Sequence, residues 1–328
     1  MKILLVNKYL YRKGGAETYF IKLGEYLKSL GNEVEYFGMA DERNCVENRV
    51  EAYTENIDFH KKSLKHITYP FKIIYSVNAR KQIRKVLSDF KPDVVHLNNF
   101  NYQLTPSIIY EIKKHNIPIV YTAHDVQLVC PNHKLKNDYT DGLCRKCDGG
   151  KYFECVKNNC VHSSKIRSIL GAVEAWYYKL RHTYKMIDLT VCPSEFMEKE
   201  ISRNDDINGR TLTMYNFIDE IKPLGAECEN YVLYFGRYSE EKGISNLVKA
   251  AKKLSNIPFV FAGKGELENE VNSADNIKNV GFKTGDELRN IIEKALFTVL
   301  PAEWSENCPF SVMESQSLMT PVLGAKIG

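Results

Sequence analysis

The chain reads as an α/β protein of two Rossmann-like domains, and three observations predict it. Short apolar runs alternate with stretches of helical periodicity along its length, the pattern of parallel sheets covered by helices. The alternation lapses once, between Asn216 and Asn230, in a stretch carrying Pro223 and Gly225, and then restarts. The length, 328 residues at 44% hydrophobic and 26% charged, suffices for two cored domains. The expected domains are residues 1–218, with a cysteine-rich insert at 130–160, and residues 219–328.

Each element follows in order. "KILLVN" (Lys2 to Asn7) reads as a buried strand, after which Ala16, Tyr19, Phe20, Leu23, Leu27 and Leu30 recur at helical spacing until Gly31 stops the helix. "EVEYFG" returns as a strand, and "DVVHL" (Asp93 to Leu97), "IPIVYT" (Ile117 to Thr122) and "DLTVC" (Asp188 to Cys192) follow. After the lapse come a "YVLYFG" strand, a "GISNLVKAAKKL" helix, an "IPFVFAG" strand and a "GDELRNIIEKAL" helix. An "FTVLPA" strand, an "FSVMESQSL" helix and a "PVLGA" strand close the chain. Two such halves predict a ligand cleft at the carboxyl ends of the strands.

Composition narrows the function classes. No stretch approaches the ~18 uninterrupted apolar residues of a membrane span, and Met1 leads into "ILLV" without a signal-peptide pattern, so a cytoplasmic protein is expected. A net charge of +4 permits contact with an anionic ligand or membrane surface without calling for nucleic acid. The dinucleotide fingerprint G-x-G-x-x-G is absent after the first strand, which argues against a nicotinamide or flavin enzyme.

Three stretches carry chemistry. In "KGGAE" (Lys13 to Glu17) paired glycines allow close backbone approach, and the helix start offers free N–H groups to an anion; a plain tight turn reads equally well. In "FGRYSEEKG" (Phe235 to Gly243), Arg237 and Lys242 lie where two cations neutralise a diphosphate, unless they pair with Glu240 and Glu241 at the surface. Asp-x-Asp, the usual carboxylate pair for a nucleotide-bound metal, occurs nowhere, so cations and helix termini would carry a leaving diphosphate's charge. In "SENCPFSVMESQ", Pro309 suits the first turn of a helix, with Glu306 in the loop before it and Glu314 a little over a turn inside. Both carboxylates can then face one ligand and accept hydrogen bonds from vicinal hydroxyls.

Taken together, "GGAE", "DVVHLNN", "TAHD", "PSEF", "YNFID", "GRYSEEKG", "FAGKGE", "VGF" and "ENCPFSVME" with "PVLGA" resemble the retaining glycosyltransferases of the GT-B fold, family-four type (glycosyl transferases group 1). The resemblance spans almost the whole chain and rests on the order and spacing of these motifs. It implies transfer of a sugar from a nucleotide-diphosphate sugar to an acceptor hydroxyl with retention, without a cofactor or catalytic metal. It further implies that Arg237 and Lys242 hold the diphosphate, Glu314 the ribose hydroxyls and Glu306 the hydroxyls of the transferred sugar. Gly15, Gly236 and the backbone around Cys308, Pro309 and Phe310 would line the donor, with backbone base contacts near Gly265 and Phe282. His124 in "AHD" matches the family's active-site histidine; taken alone it reads as a satisfied histidine at a strand end. Expected partners are the nucleotide sugar and a glycan or lipid-linked acceptor of a bacterial surface glycan (capsule, O-antigen or exopolysaccharide), with no nucleic acid. A catalytically inactive nucleotide-sugar-binding partner and a sugar-nucleotide 2-epimerase are the rival readings.

Two segments stand apart. Five cysteines fall between Cys130 and Cys160; Cys144-x-x-Cys147 has the spacing of a structural zinc knuckle, with Cys130 and Cys160 completing the preferred set and Cys155 or His133 as substitutes. Unligated thiols and a disulfide or redox pair are the other readings. "KIRSILGAVEAWYYKLRHTYKMI" (Lys165 to Ile187) is rich in aromatics and cations: either a helix packing aromatics on its own domain or an interfacial helix touching the inner membrane face. The chain stops at Gly328, where members of the resembling family continue, so a second half lacking its C-terminal end is expected.

Overall fold

The structure is a computed structural model and describes residues 1–56, 69–137 and 142–327. It divides into two compact units, Met1–Tyr215 and Asn216–Gly328. The division falls a few residues before the expected boundary at 218, and residues 216–230 carry no helix or strand.

In the first unit β1 (Lys2–Val6) leads through the glycine turn into α1 (Gly15–Ser29), and β2 (Glu33–Phe37) follows. Gly31, at φ +80°, provides the left-handed residue that ends α1; Leu30 lies beyond the helix and is 60% exposed, so it is not part of the apolar face. Next come α2 (Tyr69–Ile74), α3 (Val77–Phe90), β3 (Val94–Leu97), α4 (Ser107–Lys114) and β4 (Ile119–Thr122). Among its described residues the insert holds a 3₁₀ turn and α5 (Phe153–Lys157), and its residues 138–141 lie outside the described residues. Then α6 (Lys165–Leu180) precedes β5 (Leu189–Cys192), α7 (Glu195–Ile201) and β6 (Thr211–Thr213). The helix expected to run to Ile187 stops at Leu180; a left-handed His182 (φ +47°) and a 3₁₀ turn follow.

The strands form a parallel sheet in the order β2-β1-β3-β4-β5-β6. One core layer joins Leu4, Val6, Val95, Leu97 and Ile119 to Ile83, Leu87 and Ile108 of α3 and α4. The other sets Ile3 and Leu5 against Phe20 and Ile21 of α1. Strands with both faces covered carry continuous apolar runs, and this is what made "ILLV" readable. Helices α3, α4 and α7 and strand β6 have no counterpart among the sequence expectations. β6 is three residues long at a sheet edge, too short for a pattern to show.

The second unit contains β7 (Val232–Arg237), α8 (Ile244–Lys253), β8 (Phe259–Lys264), α9 (Glu268–Val271), β9 (Ile277–Asn279), α10 (Gly285–Lys294), β10 (Phe297–Leu300), α11 (Phe310–Ser317) and β11 (Val322–Gly324). The parallel sheet runs β11-β10-β7-β8-β9, so strand order reverses between β7 and β10. Loops leaving those two strands must diverge to opposite faces of the sheet, which opens a crevice at the reversal. The loops after them are held tightly. The Glu303 N–H donates to the carbonyl of Glu241 at 3.1 Å, and Gly243, at φ +71°, lies so close to Pro301 that a Cβ would stand 1.9 Å from its carbonyl oxygen.

Gly243→Ala therefore combines a left-handed backbone with a clash against main chain that cannot rotate away. It is expected to lower unfolding free energy by about 2 kcal/mol or more, read by urea denaturation; a loss below about half that would show that the two loops part easily.

Candidate functional site

In the second unit, β7 is buried through Tyr234 and emerges at Gly236 and Arg237. The Tyr234 hydroxyl donates to the carbonyl of Arg237 at 2.8 Å, fixing the turn of the chain. Burial raises the pKa of Tyr234; the charges of Glu306 and Glu241 add to the rise and Arg237 opposes it, so these groups surround one phenol. Arg237 itself is exposed, without a carboxylate partner among the described residues.

Lys242 Nζ donates to Glu306 Oε1 at 2.5 Å, with side chains 27% and 11% exposed. The surface pairing with Glu240 and Glu241 that the sequence left open is not formed by Lys242 among the described residues. Its partner comes instead from the loop after β10, across the strand-order reversal. Asn216 stiffens the same loop, its Nδ2 donating to the carbonyl of Cys308 at 2.9 Å, while its buried Oδ1 has no partner among the described residues. Cys308 holds φ +52°. Pro309 caps α11, Phe310 is its first residue and Glu314 lies just over a turn inside, half-buried. Ser315 anchors that helix to the sheet by accepting from Thr298 Oγ1 at 3.0 Å.

Gly265 and Phe282 follow β8 and β9 along the same carboxyl edge. A Cβ at Gly265 would stand 2.1 Å from the carbonyl oxygen of Tyr238, so the backbone approach there requires glycine. Phe282 is 66% exposed.

In the first unit the strand order reverses between β1 and β3, and the polar groups gather at those strand ends. Gly14 and Gly15 open α1, with Gly15 exposed and Glu17 buried. His124, just after β4, gives its Nε2 to Asn98 Oδ1 at 2.9 Å and meets the Tyr19 ring edge-on at 5.2 Å. With Nε2 donating, Nδ1 is the acceptor nitrogen. Burial pushes the His124 pKa down to about 4, against a smaller opposing effect of Asp125, so the ring is neutral near pH 7. His96, bonded to Thr122 Oγ1 at 2.7 Å, is also pushed to about 4, by burial and then by His124.

A cluster that sequence reading missed lies beside His124. Lys8 Nζ donates to Asn101 Oδ1 at 2.5 Å, Asn101 Nδ2 donates to His133 Nδ1 at 3.1 Å, and His133 lies 3.4 Å from Asp125 Oδ2. Burial lowers the pKa of Lys8, and it raises Glu174, near His133, to about 7. Asp125 sits in the quoted "AHD" and could have been read there; Lys8, Asn101 and Glu174 are brought in by three different elements and left no local signal. The Asn98 Nδ2, fully buried, has no partner among the described residues.

The five insert cysteines, Cys130, Cys144, Cys147, Cys155 and Cys160, line one small cavity of about 10 Å³. Burial, then neighbouring cysteines, push Cys147 up to about 12 and raise Cys155 as well, so these groups are thiols near pH 7 in the metal-free chain. Among the described residues no three Cys, His, Asp or Glu side chains stand grouped as metal ligands. The insert is tied down from outside: Arg145 pairs with the fully buried Glu200 carboxylate, and Arg203 with Asp148.

The family model for Glycosyltransferase Family 4 matches residues 13–221, and that for Glycosyl transferases group 1 matches residues 217–328. A curated Klebsiella pneumoniae protein, an uncharacterized 42.6 kDa protein in the cps region, is 25% identical over all of this chain and 86% of its own length. Anabaena Alr3699/HepE, solved in complex with UDP and glucose, superposes with a TM-score of 0.64 at 16% identity, over 100% of this chain and 81% of that one. Sucrose-phosphate synthase from Thermosynechococcus elongatus gives 0.69 at 15%, over 100% and 82%. At these identities the two structures show a shared fold, the GT-B arrangement of two parallel-sheet domains.

The histidines make a signed prediction. An unfolded chain protonates both near their ordinary 6.5, while the folded one resists down to about 4, so their contribution to stability is lost as pH falls through that window. Glu174 acts in the opposite sense, gaining between about 7 and the usual 4.5. The stability difference between wild type and a His96→Asn, His124→Asn double variant is expected to shrink steadily from pH 6.5 to pH 4 in urea titrations. A difference independent of pH would show that neither ring is held neutral.

Proposed function

The chain belongs to glycosyltransferase family 4, and we propose that it transfers a sugar from a nucleotide-diphosphate sugar to an acceptor hydroxyl with retention, in building a bacterial surface glycan. The observation that supports this reading best is the meeting of Lys242 with Glu306 at the strand-order reversal, beside an Arg237 that has no carboxylate partner among the described residues. A diphosphate entering there gives Lys242 a stronger anionic partner. Glu306 is then released to accept hydroxyls of the transferred sugar, and Glu314, inside α11, to accept those of the ribose. N–H groups around Cys308 and Phe310 add donors, while Pro309 has none to offer. Gly15, Gly236, Gly265 and Phe282 supply close backbone approach and base contact.

In the proposed step the bond between the anomeric carbon and the β-phosphate oxygen breaks, and the acceptor oxygen bonds to the same face. The acceptor proton passes to the departing phosphate oxygen. Arg237 and Lys242 stabilise that leaving group, which develops most charge in the transition state. His124, neutral through the working pH range, stabilises positive charge at the anomeric carbon through Nδ1 or its carbonyl. Glu306 is given no nucleophilic role, although paired carboxylates flank the bond in many glycosidases. Because Asp-x-Asp is absent from the sequence, activity is expected to persist in chelator.

The similar Klebsiella protein, from a cps region, supports a capsule or related glycan as product, and the UDP in the HepE structure makes UDP-sugars the first donors to test. Calorimetry with UDP, GDP, ADP and their sugar conjugates, in chelator, is expected to show one nucleotide bound. Glu314→Ala should weaken it at least tenfold, about 1.4 kcal/mol, and Lys242→Ala more. Binding of no nucleotide by folded protein would sink the reading; binding without turnover across glycan acceptors would favour the inactive-partner alternative.

Cys130, Cys144, Cys147 and Cys160 we propose as ligands of one structural zinc that braces the insert, since all four line the same small cavity. Metal analysis should find about one zinc per chain, lost in Cys144→Ser, Cys147→Ser protein. Five freely titrating thiols and no bound metal after purification would end that assignment.

A further inference from the structure

The proposed reaction leaves the motif "YNFID" (Tyr215 to Asp219) without a role, yet its Asn216, the first residue of the second unit, reaches a partner 92 residues along the chain. The Asn216 Nδ2 donates to the Cys308 carbonyl at 2.9 Å and lies 3.5 Å from that of Asn307. Both carbonyls belong to the loop that carries Glu306 between β10 and α11. Cys308 is left-handed there, at φ +52°, a conformation that strains a residue bearing a Cβ.

Pro309 follows Cys308, and its ring disfavours right-handed helical backbone in the residue before it. Cys308 is left with extended or left-handed backbone, and an unaided chain takes the extended form. The amide of Asn216, bonded to the Cys308 carbonyl, selects the left-handed one. On the other side of the loop, α11 is fixed to the sheet through Thr298 and Ser315, and Cys308 Sγ lies 4.0 Å from Met313 Sδ of that helix. Because the helix cannot follow, extending Cys308 would swing the preceding residues, and it would carry Glu306 away from Lys242. Asn216 makes this contact while its Oδ1 stays buried without a partner among the described residues. An orphaned buried oxygen and a left-handed cysteine each lower stability. Two unfavourable features at one turn, two residues from Glu306, point to a loop shaped for its ligand.

We propose that Asn216 is a positioning residue for the transferred sugar: its amide holds Cys308 left-handed and thereby sets Glu306 where it accepts the sugar's hydroxyls. This rests on the donor-site reading of Glu306 and names the residue that shapes that site. The test is calorimetry with UDP, GDP and ADP and with the glucose and mannose conjugates of each. It compares wild type with Asn216→Ala and with Asn216→Leu, which keeps the volume and removes the orphaned oxygen as well. Both variants should bind the sugar nucleotide at least tenfold more weakly, while the free nucleotide binds within twofold of wild type, because Arg237, Lys242 and Glu314 remain. Adding Cys308→Gly to Asn216→Ala should restore sugar-nucleotide binding at least threefold, since glycine takes a left-handed backbone without support. In ligand-free protein, amide hydrogen exchange over residues 303–310 should quicken at least tenfold in Asn216→Ala, with α8 unchanged. Equal losses for nucleotide and sugar nucleotide would reduce Asn216 to a structural support and overturn the proposal, as would unchanged exchange in the loop. Wild type that binds none of these nucleotides sinks the donor-site reading itself and this assignment with it, whereas the other two outcomes sink this assignment alone.

Discussion

In each unit the polar chemistry collects where parallel strand order reverses, because only there do consecutive strand-to-helix loops leave toward opposite faces and open a crevice. In the second unit that reversal, between β7 and β10, brings the loop of Arg237 and Lys242 against the loop of Glu306. The contact is held by main chain rather than by the ion pair. The Glu303 N–H bonds the Glu241 carbonyl, and Gly243 admits Pro301 at a distance no side chain would allow. A half-exposed lysine–carboxylate pair contributes little to stability, so its presence here is better read as a positioned pair of charges than as a staple.

The first unit solves a different problem. Around the reversal of β1 and β3 it buries Asn98 and Asn101 and half-buries His96, His124, Lys8, Asp125 and Glu174. Burial disfavours charge at the two histidines, at Lys8 and at Glu174, and the network of Lys8, Asn101, His133 and Asp125 compensates part of that cost. A neutral imidazole with one nitrogen committed to Asn98 keeps a fixed acceptor on the other, whereas a solvated histidine would tumble and titrate. Sites that hold groups away from their ordinary ionisation are commonly functional ones.

The insert and α6 depend on each other for order. Among its described residues the insert has little regular structure and is pinned by Arg145 on Glu200, by Arg203 on Asp148 and by the Trp176 indole on the Gly150 carbonyl. In return, α5 packs along α6, whose Ile166, Ile169, Val173 and Leu180 stay exposed. Aromatic residues on α6 thus divide. Tyr178 enters the core, while Trp176 stays at the surface.

The sequence by itself determined the two-unit parallel architecture, because strands covered on both faces must be apolar throughout and their helices amphipathic. It also determined which loops carry charge, since Gly-Gly, Arg237, Lys242, Glu306 and Glu314 lie within short motifs that belong to strand ends and helix starts. Short edge strands such as β6, and helices such as α3 whose faces blend into a charged background, were not legible, because their placement follows from the sheet they cover. Only tertiary structure decided that Lys242 takes Glu306 over Glu241, that Asn216 reaches back to Cys308, and that Lys8 meets Asn101. Those choices depend on strand order and loop packing, which set residues far apart in the chain at hydrogen-bonding distance, and no local spacing records them.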